Sequence, residues 1–389
     1  MLRILFRIVF FPLIALVVLW LRFRNRLALG KNGVMKVELD GSKLQKEPLW
    51  PRRLLMSARE PRVRLVHLEI HPAAWGWADL EAIREAIVKI REEGTPVFAS
   101  LETADNAGIF LSSACDKTIL SPLGEVFLGG VAIQLRFLGD AMERIGLHFE
   151  VVSAGDYKSA AEPLSRAFPS KANREAMDEL VGGLHESMRR IIASGRGVKE
   201  SRLQEIMEGG LLSGEDAIEE GLVDALCYPK AIDALFEEEL GAAPKVVDAS
   251  VLMSRMSRLE RYSRLFRKSP KIQVLHFQGP ISRAAPKYNP KSRITQEESL
   301  EALEELIERP PTAAVLVVDS PGGSALVSDL IWEAVGRLGE KCPVVACFQN
   351  VAASGGYYIS AGCREIVANE LTITGSIGVI SGKLVTGQA

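Results

Sequence analysis

Residues 344–361 read V-V-A-C-F-Q-N-V-A-A-S-G-G-Y-Y-I-S-A, and residues 97–114 read V-F-A-S-L-E-T-A-D-N-A-G-I-F-L-S-S-A. Aligned without a gap, Ser354 falls opposite Ala107 and Gly355 opposite Gly108. The likeness extends upstream, where Asp319-Ser320-Pro321-Gly322-Gly323 falls near Ile70-His71-Pro72-Ala73-Ala74. The chain therefore contains a worn repeat. A serine and two glycines stand in one copy where the other has alanines. A duplication kept for packing alone has no reason to differ there, whereas a site retained in one copy does.

Outward from these stretches, both copies follow one order. An opening strand (Val34–Leu39; Ile272–Phe277) ends at Gly41 or Gly279. Then come an apolar strand (Leu65–Ile70; Ala313–Val318), an amphipathic helix (Trp77–Arg91; Ala325–Leu338) and a further strand (Val97–Leu101; Val344–Phe348). Leu80, Ile83, Ile87 and Ile90 recur at helical spacing in the first helix, as do Leu326, Leu330, Ile331 and Val335 in the second. Strand, helix, strand with short connections predicts right-handed βαβ units and an α/β fold with parallel sheets.

The first copy carries a helical extension, roughly 172–240, with an apolar stripe of Leu180, Leu184, Met188 and Ile191. Within it, Ser213 followed by Asp216 reads as a capping box ahead of a helix over Ala217–Leu226. The divisions expected are 1–30 as an N-terminal signal anchor, 31–250 as the first repeat with its extension, 251–270 as a basic linker and 271–389 as the second repeat. The linker places Arg255, Arg258, Arg261, Arg264 and Arg267 three apart, as a solvated helix or a lipid-contacting one would. The second repeat reads as C-terminally incomplete.

The anchor rests on the uncharged run Ile8–Leu21, broken only by Pro12. It falls short of the ~20 residues of a spanning helix, but Arg3, Arg7 and Arg22 can snorkel to the interfaces. No small-residue cleavage site follows, so an uncleaved single-pass anchor is expected, with a buried helix as the alternative. The flanking charges leave its orientation open.

Composition narrows the class. The 47 basic and 49 acidic residues give a net charge of −2, which supplies no nucleic-acid footprint. Five cysteines without C-x-x-C spacing argue against a disulfide framework or a zinc site, so no metal or other cofactor is expected.

The chemistry concentrates in three segments. Ser354, in A-A-S-G-G after a strand and before an apolar run, matches the logic of a nucleophile elbow; a capping serine is the plain alternative. Asp319-Ser320-Pro321-Gly322-Gly323-Ser324 follows a strand, and its glycines can turn backbone N–H groups toward an anion. None of the five histidines follows Ser354, so a base must come from elsewhere. Lys158, in Gly155-Asp156-Tyr157-Lys158-Ser159-Ala160-Ala161-Glu162-Pro163, can serve if burial keeps it neutral; a surface lysine at a turn is the alternative.

Together D-S-P-G-G-S (319–324), A-A-S-G-G-Y (352–357), T-G-S-I-G-V (374–379) and G-D-Y-K-S-A-A-E-P (155–163) resemble the signal peptide peptidase A family in its long, tandem-repeat form. A-I-E-E-G-L-V-D (217–224) is similar to a further element of that family. The resemblance implies a Clp protease/crotonase-like fold and a membrane-bound serine endopeptidase. Ser354 is then the nucleophile, Lys158 its general base, and Ser376 the serine that orients the lysine. Gly322, Gly323 and Gly355 would supply backbone N–H groups for the oxyanion. It implies hydrolysis of signal peptides or other small apolar membrane-derived peptides through an acyl-enzyme. Its expected partners are those peptides, the lipid bilayer and further copies of the chain, with the catalytic part on the outer face of a bacterial-type cell membrane. An inert membrane-bound scaffold or truncated relative is the alternative. A Clp-type Ser-His-Asp protease lacks its histidine here, and an acyl-CoA enzyme of the crotonase kind has no use for Lys158.

Overall fold

A computed structural model describes residues 2–41, 49–264, 270–284 and 294–386. The chain divides into two compact units, residues 1–130 with 187–269 and residues 131–186 with 270–389. The division cuts across the sequence repeats. Residues 131–186 fall within the first repeat as divided by sequence but are built into the second unit.

In the first unit, β1 (Gly33–Leu39), β2 (Val63–Ile70), β3 (Val97–Leu101) and β4 (Lys117–Leu120) form the centre of a parallel sheet. β5 (Glu125–Leu128) pairs antiparallel with β7 (Gly210–Ser213) outside it; β6 belongs to the second unit. With β8 (Ala225–Leu226) and β9 (Lys245–Asp248) the sheet runs β8-β4-β3-β2-β1-β9. Val34, Leu65, Phe98 and Ile119 of these strands pack on Ile232 and Phe236 of the Ile232–Leu240 helix. Ser213 and Asp216 form the capping box, but the helix they start covers only Gly214–Glu219. Gly221, at φ 73°, turns the chain so that Ala225–Leu226 can join the sheet as β8. Asp224, in the A-I-E-E-G-L-V-D segment, accepts from Thr118 N and from both Nη atoms of Arg196, fastening that edge.

The second unit begins with β6 (His148–Ala154) and continues with β10 (Ile272–Gln278), β11 (Ile281–Ser282), β12 (Ile294–Thr295), β13 (Ala313–Ser320) and β14 (Val344–Ala353). It ends with β15 (Glu365–Val367), β16 (Ile373–Gly375) and β17 (Val379–Val385). The parallel sheet runs β10-β13-β14-β15, with β16 beside the far end of β14. Leu316, Val318, Ile331, Val335, Val344 and Ile359 form its core. β6 and β17 pair antiparallel, Ala154 opposite Val379.

The N-terminal segment is a helix, Leu2–Leu29, but among the described residues no helix is long and apolar enough to cross a membrane. The expectation of a spanning anchor is therefore not supported among those residues. Leu21, Asn25 and Leu29 are buried, so the helix's last turns are packed protein. Leu16, Leu19, Trp20, Phe23 and Leu27 form its exposed side. Leu265 and Arg267 of the basic linker lie outside the described residues; Arg255, Arg258 and Arg261 sit on the helix Ala249–Arg264. All five cysteines are free thiols.

Candidate active site

β14 ends at Ala353, and the chain turns through Ser354 into the short helix Gly355–Ser360. The turn forces Ser354 to φ 53° and ψ −117°. Positive φ is costly for a residue with a Cβ, on the order of 1–3 kcal/mol, and persists where surrounding bonds over-determine it. They do so here. Ser354 N donates to Gly375 O at 2.9 Å, Tyr358 N donates to Ser354 O at 2.9 Å, and Thr374 Oγ1 donates to Ala352 O at 2.8 Å. Gly356 lies so near β13 that a Cβ there would meet Ser320 O at 2.6 Å. This explains why small residues follow the serine.

Lys158 arrives from β6. The turn after that strand uses Gly155 at φ 95° and closes with Lys158 N donating to Gly155 O at 3.1 Å. Its side chain passes over Gly378, whose missing Cβ would stand 3.3 Å from Lys158 Cβ and 2.4 Å from Ala154 O. Lys158 is 7% exposed and donates from Nζ to Ser354 Oγ at 2.9 Å and to Ser376 Oγ at 3.0 Å. It also donates to the Ser376 carbonyl. Burial lowers the ammonium below the usual lysine range. Ser376 is exposed and, like Ser354, holds a positive φ, 50°. Behind Lys158, Asn173 Nδ2 donates to the buried Ser159 Oγ at 2.8 Å.

The Pro-Gly-Gly loop lies against this serine. A Cβ on Gly322 would meet Gly355 N at 2.5 Å and Ser354 Cβ at 2.7 Å. Gly322 has φ 93° and Gly323 φ 154°, conformations that glycine adopts freely. Three groups pin the loop. Ser320 Oγ donates to Gly279 O at 2.7 Å and accepts from Gly322 N at 3.1 Å, while Ile281 N donates to Gly322 O at 2.9 Å. The Gly322 N–H is thus engaged within the loop. Gly323 bridges Ile281 in parallel fashion through its neighbours' groups, so its own N–H faces away from Ile281. Gly355 is the first residue of its helix, where backbone N–H groups lack intrahelical acceptors.

Sequence reading did not single out Ser320, Asp319 or Gly378. Asp319 Oδ1 accepts from Val351 N at 3.1 Å where the β13–β14 register shifts, and burial raises its carboxyl. The signal available was position: both residues open the D-S-P-G-G-S segment at the end of a strand. For Gly378 the only cue was its place in T-G-S-I-G-V.

Two parallel-sheet α/β units related by an internal repeat, with a serine on a strained strand-to-helix turn, define a tandem fold of the Clp protease and crotonase kind. The chain belongs to peptidase family S49, whose model matches residues 89–242 and 337–389, more than half of its length. It is similar to the chloroplastic serine protease SPPA of Arabidopsis thaliana, 31% identical over 339 residues covering 86% of this chain and 50% of the relative. It is also similar to Protease 4 of Salmonella typhi, 30% identical over 312 residues, 76% of this chain and 49% of that protein. A putative signal peptide peptidase SppA of Enterococcus faecium is 25% identical over 192 residues, 49% of this chain and 54% of the relative. The chain spans about half the length of the curated relatives it matches.

Proposed function

We propose that this chain is a serine endopeptidase working through a Ser354–Lys158 pair. The observation that carries the reading is Lys158 Nζ at 2.9 Å from Ser354 Oγ, on a lysine whose burial favours the neutral amine. A neutral Lys158 takes the Ser354 hydroxyl proton as Oγ attacks the scissile carbonyl. The tetrahedral oxyanion is received by the N–H groups of Gly323 and Gly355, each such donor being worth ~3–4 kcal/mol of barrier. Gly322 shapes the loop instead of donating. The Lys158 ammonium then protonates the departing amine, leaving an acyl-enzyme on Ser354. Lys158 next takes a proton from the water that hydrolyses it. Ser376 orients Lys158 through its hydroxyl and carbonyl. Signal peptides are the proposed substrates, following the name of the Enterococcus relative.

Hydrolysis of a small apolar peptide reporter tests this. Ser354→Ala and Lys158→Met are each expected to lose at least about 1,000-fold in kcat/KM. In the wild type kcat/KM rises with pH as Lys158 deprotonates, and the rise ends below the ordinary lysine value because burial lowers that group. Full activity in Lys158→Met removes the lysine from the mechanism. A folded wild type without activity supports the inert scaffold instead.

The exposed stripe Leu16, Leu19, Trp20, Phe23 and Leu27, with Arg24 4.8 Å from the Trp20 ring centroid, supports contact with a lipid surface. Co-sedimentation with vesicles containing anionic lipid is expected to fall at least tenfold in a Trp20→Glu, Phe23→Glu variant. Unchanged co-sedimentation removes the helix as the contact.

A further inference from the structure

Lys158 Nζ reaches Ser354 and Ser376 from the end of a flexible side chain, so its aim depends on how firmly the lysine's backbone is held. Upstream, the Gly155 turn holds it through the donation from Lys158 N to Gly155 O. Downstream, a closed circuit of hydrogen bonds begins and ends on Ser159. Glu162 N donates to Ser159 O at 2.9 Å, and Ser170 N donates to Glu162 Oε2 at 2.8 Å. Asn173 N donates to Ser170 Oγ at 3.0 Å, and Asn173 Nδ2 closes the circuit on Ser159 Oγ at 2.8 Å. Ser170 thereby caps the helix Lys171–Arg196, with Asn173 in its first turn.

Within the circuit, the Asn173–Ser159 bond is the one made by two side chains, and it is shielded from water. Asn173 is 4% exposed and Ser159 9%. The other neighbour of the lysine holds it less well, because the Tyr157 hydroxyl bonds Glu175 at 3.3 Å on the exposed surface, where water competes. The helix does not need an asparagine here: its cap uses the Asn173 backbone N–H, which any residue but proline supplies. The amide is also costly to bury. Among the described residues Asn173 Oδ1 has no hydrogen-bond partner. Turning the amide over exchanges donor and acceptor toward Ser159 and leaves the nitrogen without a partner instead. A leucine has the same branching and no polar group to leave unpaired, so packing alone does not account for the residue. Its bond to the residue after Lys158 does.

We infer that Asn173 is a positioning residue for Lys158: its amide, closing the circuit on Ser159, fixes the peptide that follows the lysine and so aims the amine at Ser354 Oγ. The inference rests on the proposed Ser354–Lys158 pair and adds the group that holds the base in place. With the circuit open, the turn gains freedom and Nζ leaves its 2.9 Å approach to Ser354 Oγ, and a displacement near 1 Å costs on the order of 100-fold in rate.

Steady-state kinetics of the full chain on the apolar peptide reporter test this, with Asn173→Leu, Ser159→Ala, their double variant and Lys158→Met. Asn173→Leu is expected to lower kcat at least about tenfold with KM within about twofold, while its thermal midpoint stays within about 3 °C of wild type. Ser159→Ala carries the same kinetic expectation and decides alone if Asn173→Leu does not fold. The double variant is expected to lose no more than about twofold beyond Asn173→Leu, because both changes cut one bond. A residue that only supports the fold gives the opposite pattern, a lowered thermal midpoint with kcat per folded molecule unchanged. That pattern, or losses that multiply in the double variant, overturns the inference, and an inactive Lys158→Met beside it leaves the Ser354–Lys158 pair standing. An active Lys158→Met, or a folded wild type without activity, overturns both.

Discussion

Lys158 bears two opposed demands in one side chain. The unfolded chain keeps a lysine protonated to about pH 10.4, whereas the folded chain, with Nζ buried, releases the proton at lower pH. Over that interval the unfolded state binds more protons, so stability rises with pH, and at neutral pH the buried ammonium weighs against folding. Lys158→Met is therefore expected to raise the thermal midpoint by a few degrees while abolishing reporter hydrolysis, a trade of stability for function. Ser354 carries a similar burden in its backbone. Ser354→Gly removes strain of about 1–3 kcal/mol and adds about 0.5–1 kcal/mol of chain entropy cost. Calorimetry should find it at least as stable as wild type, and more stable than Ser354→Ala, which keeps the Cβ at φ 53°. A Ser354→Gly protein less stable than Ser354→Ala would show that no strain is held at the turn.

At the scale of elements, the site depends on the ribbon of β6 and β17, whose start brings the Lys158 turn beside Ser376. Gly378 permits that approach. Gly378→Ala would set a methyl 2.4 Å from Ala154 O at a φ of 131°, so the two strands must part. A displacement of Lys158 near 1 Å costs on the order of 100-fold in rate. Gly378→Ala is expected to show that loss in kcat with KM nearly unchanged, and wild-type kcat would remove the ribbon from the mechanism. The βαβ elements were legible because apolar periodicity and short connections are local signals. Val97–Leu101 has its expected bounds, and the helices from Trp77 and Ala325 each run one residue further than read. The β6–β17 pairing was not legible. Its strands lie more than 200 residues apart in the chain, and an apolar run such as Phe149–Val152 does not name its partner. Gly221 likewise ended a helix that periodicity alone would have continued. Ser354 and Lys158 stood out from their own segments and Ser376 from the motif resemblance, whereas Ser320 and Gly378 emerge only in the fold, since their roles are contacts across it.

For the molecule as a whole, imidazoles shape the response to acid, since burial lowers His276 in the second unit as it lowers His67 in the first. His67 is 4% exposed in the first, and burial lowers its pKa from 6.5 to about 4, while Glu69 raises it and Lys36 lowers it more weakly. A folded pKa below the unfolded one gives stability that is complete above pH ~6.5 and lost as pH falls toward 4. The difference is worth about 3 kcal/mol. Denaturation followed between pH 7 and 4 should show this loss for the first unit, and His67→Gln, which keeps a partner for Ser100 Oγ without titrating, should flatten it. An unchanged pH slope in that variant assigns the acid sensitivity to other groups.

The interleaving of the chain also sets a clock on synthesis. Lys158 and Ser354 are 196 residues apart, and Ser376 lies 218 residues beyond the lysine. At ~5–20 residues per second a ribosome needs about 10–40 s to pass from the lysine to the serine. If Lys158 and Ser354 act as proposed, the nascent chain carries the base through that interval without its nucleophile. A polypeptide whose base and nucleophile were neighbours could attack passing chains while still tethered. On the proposed roles, this one stays silent until Ser354 on the turn after β14, and Ser376 before β17, have emerged.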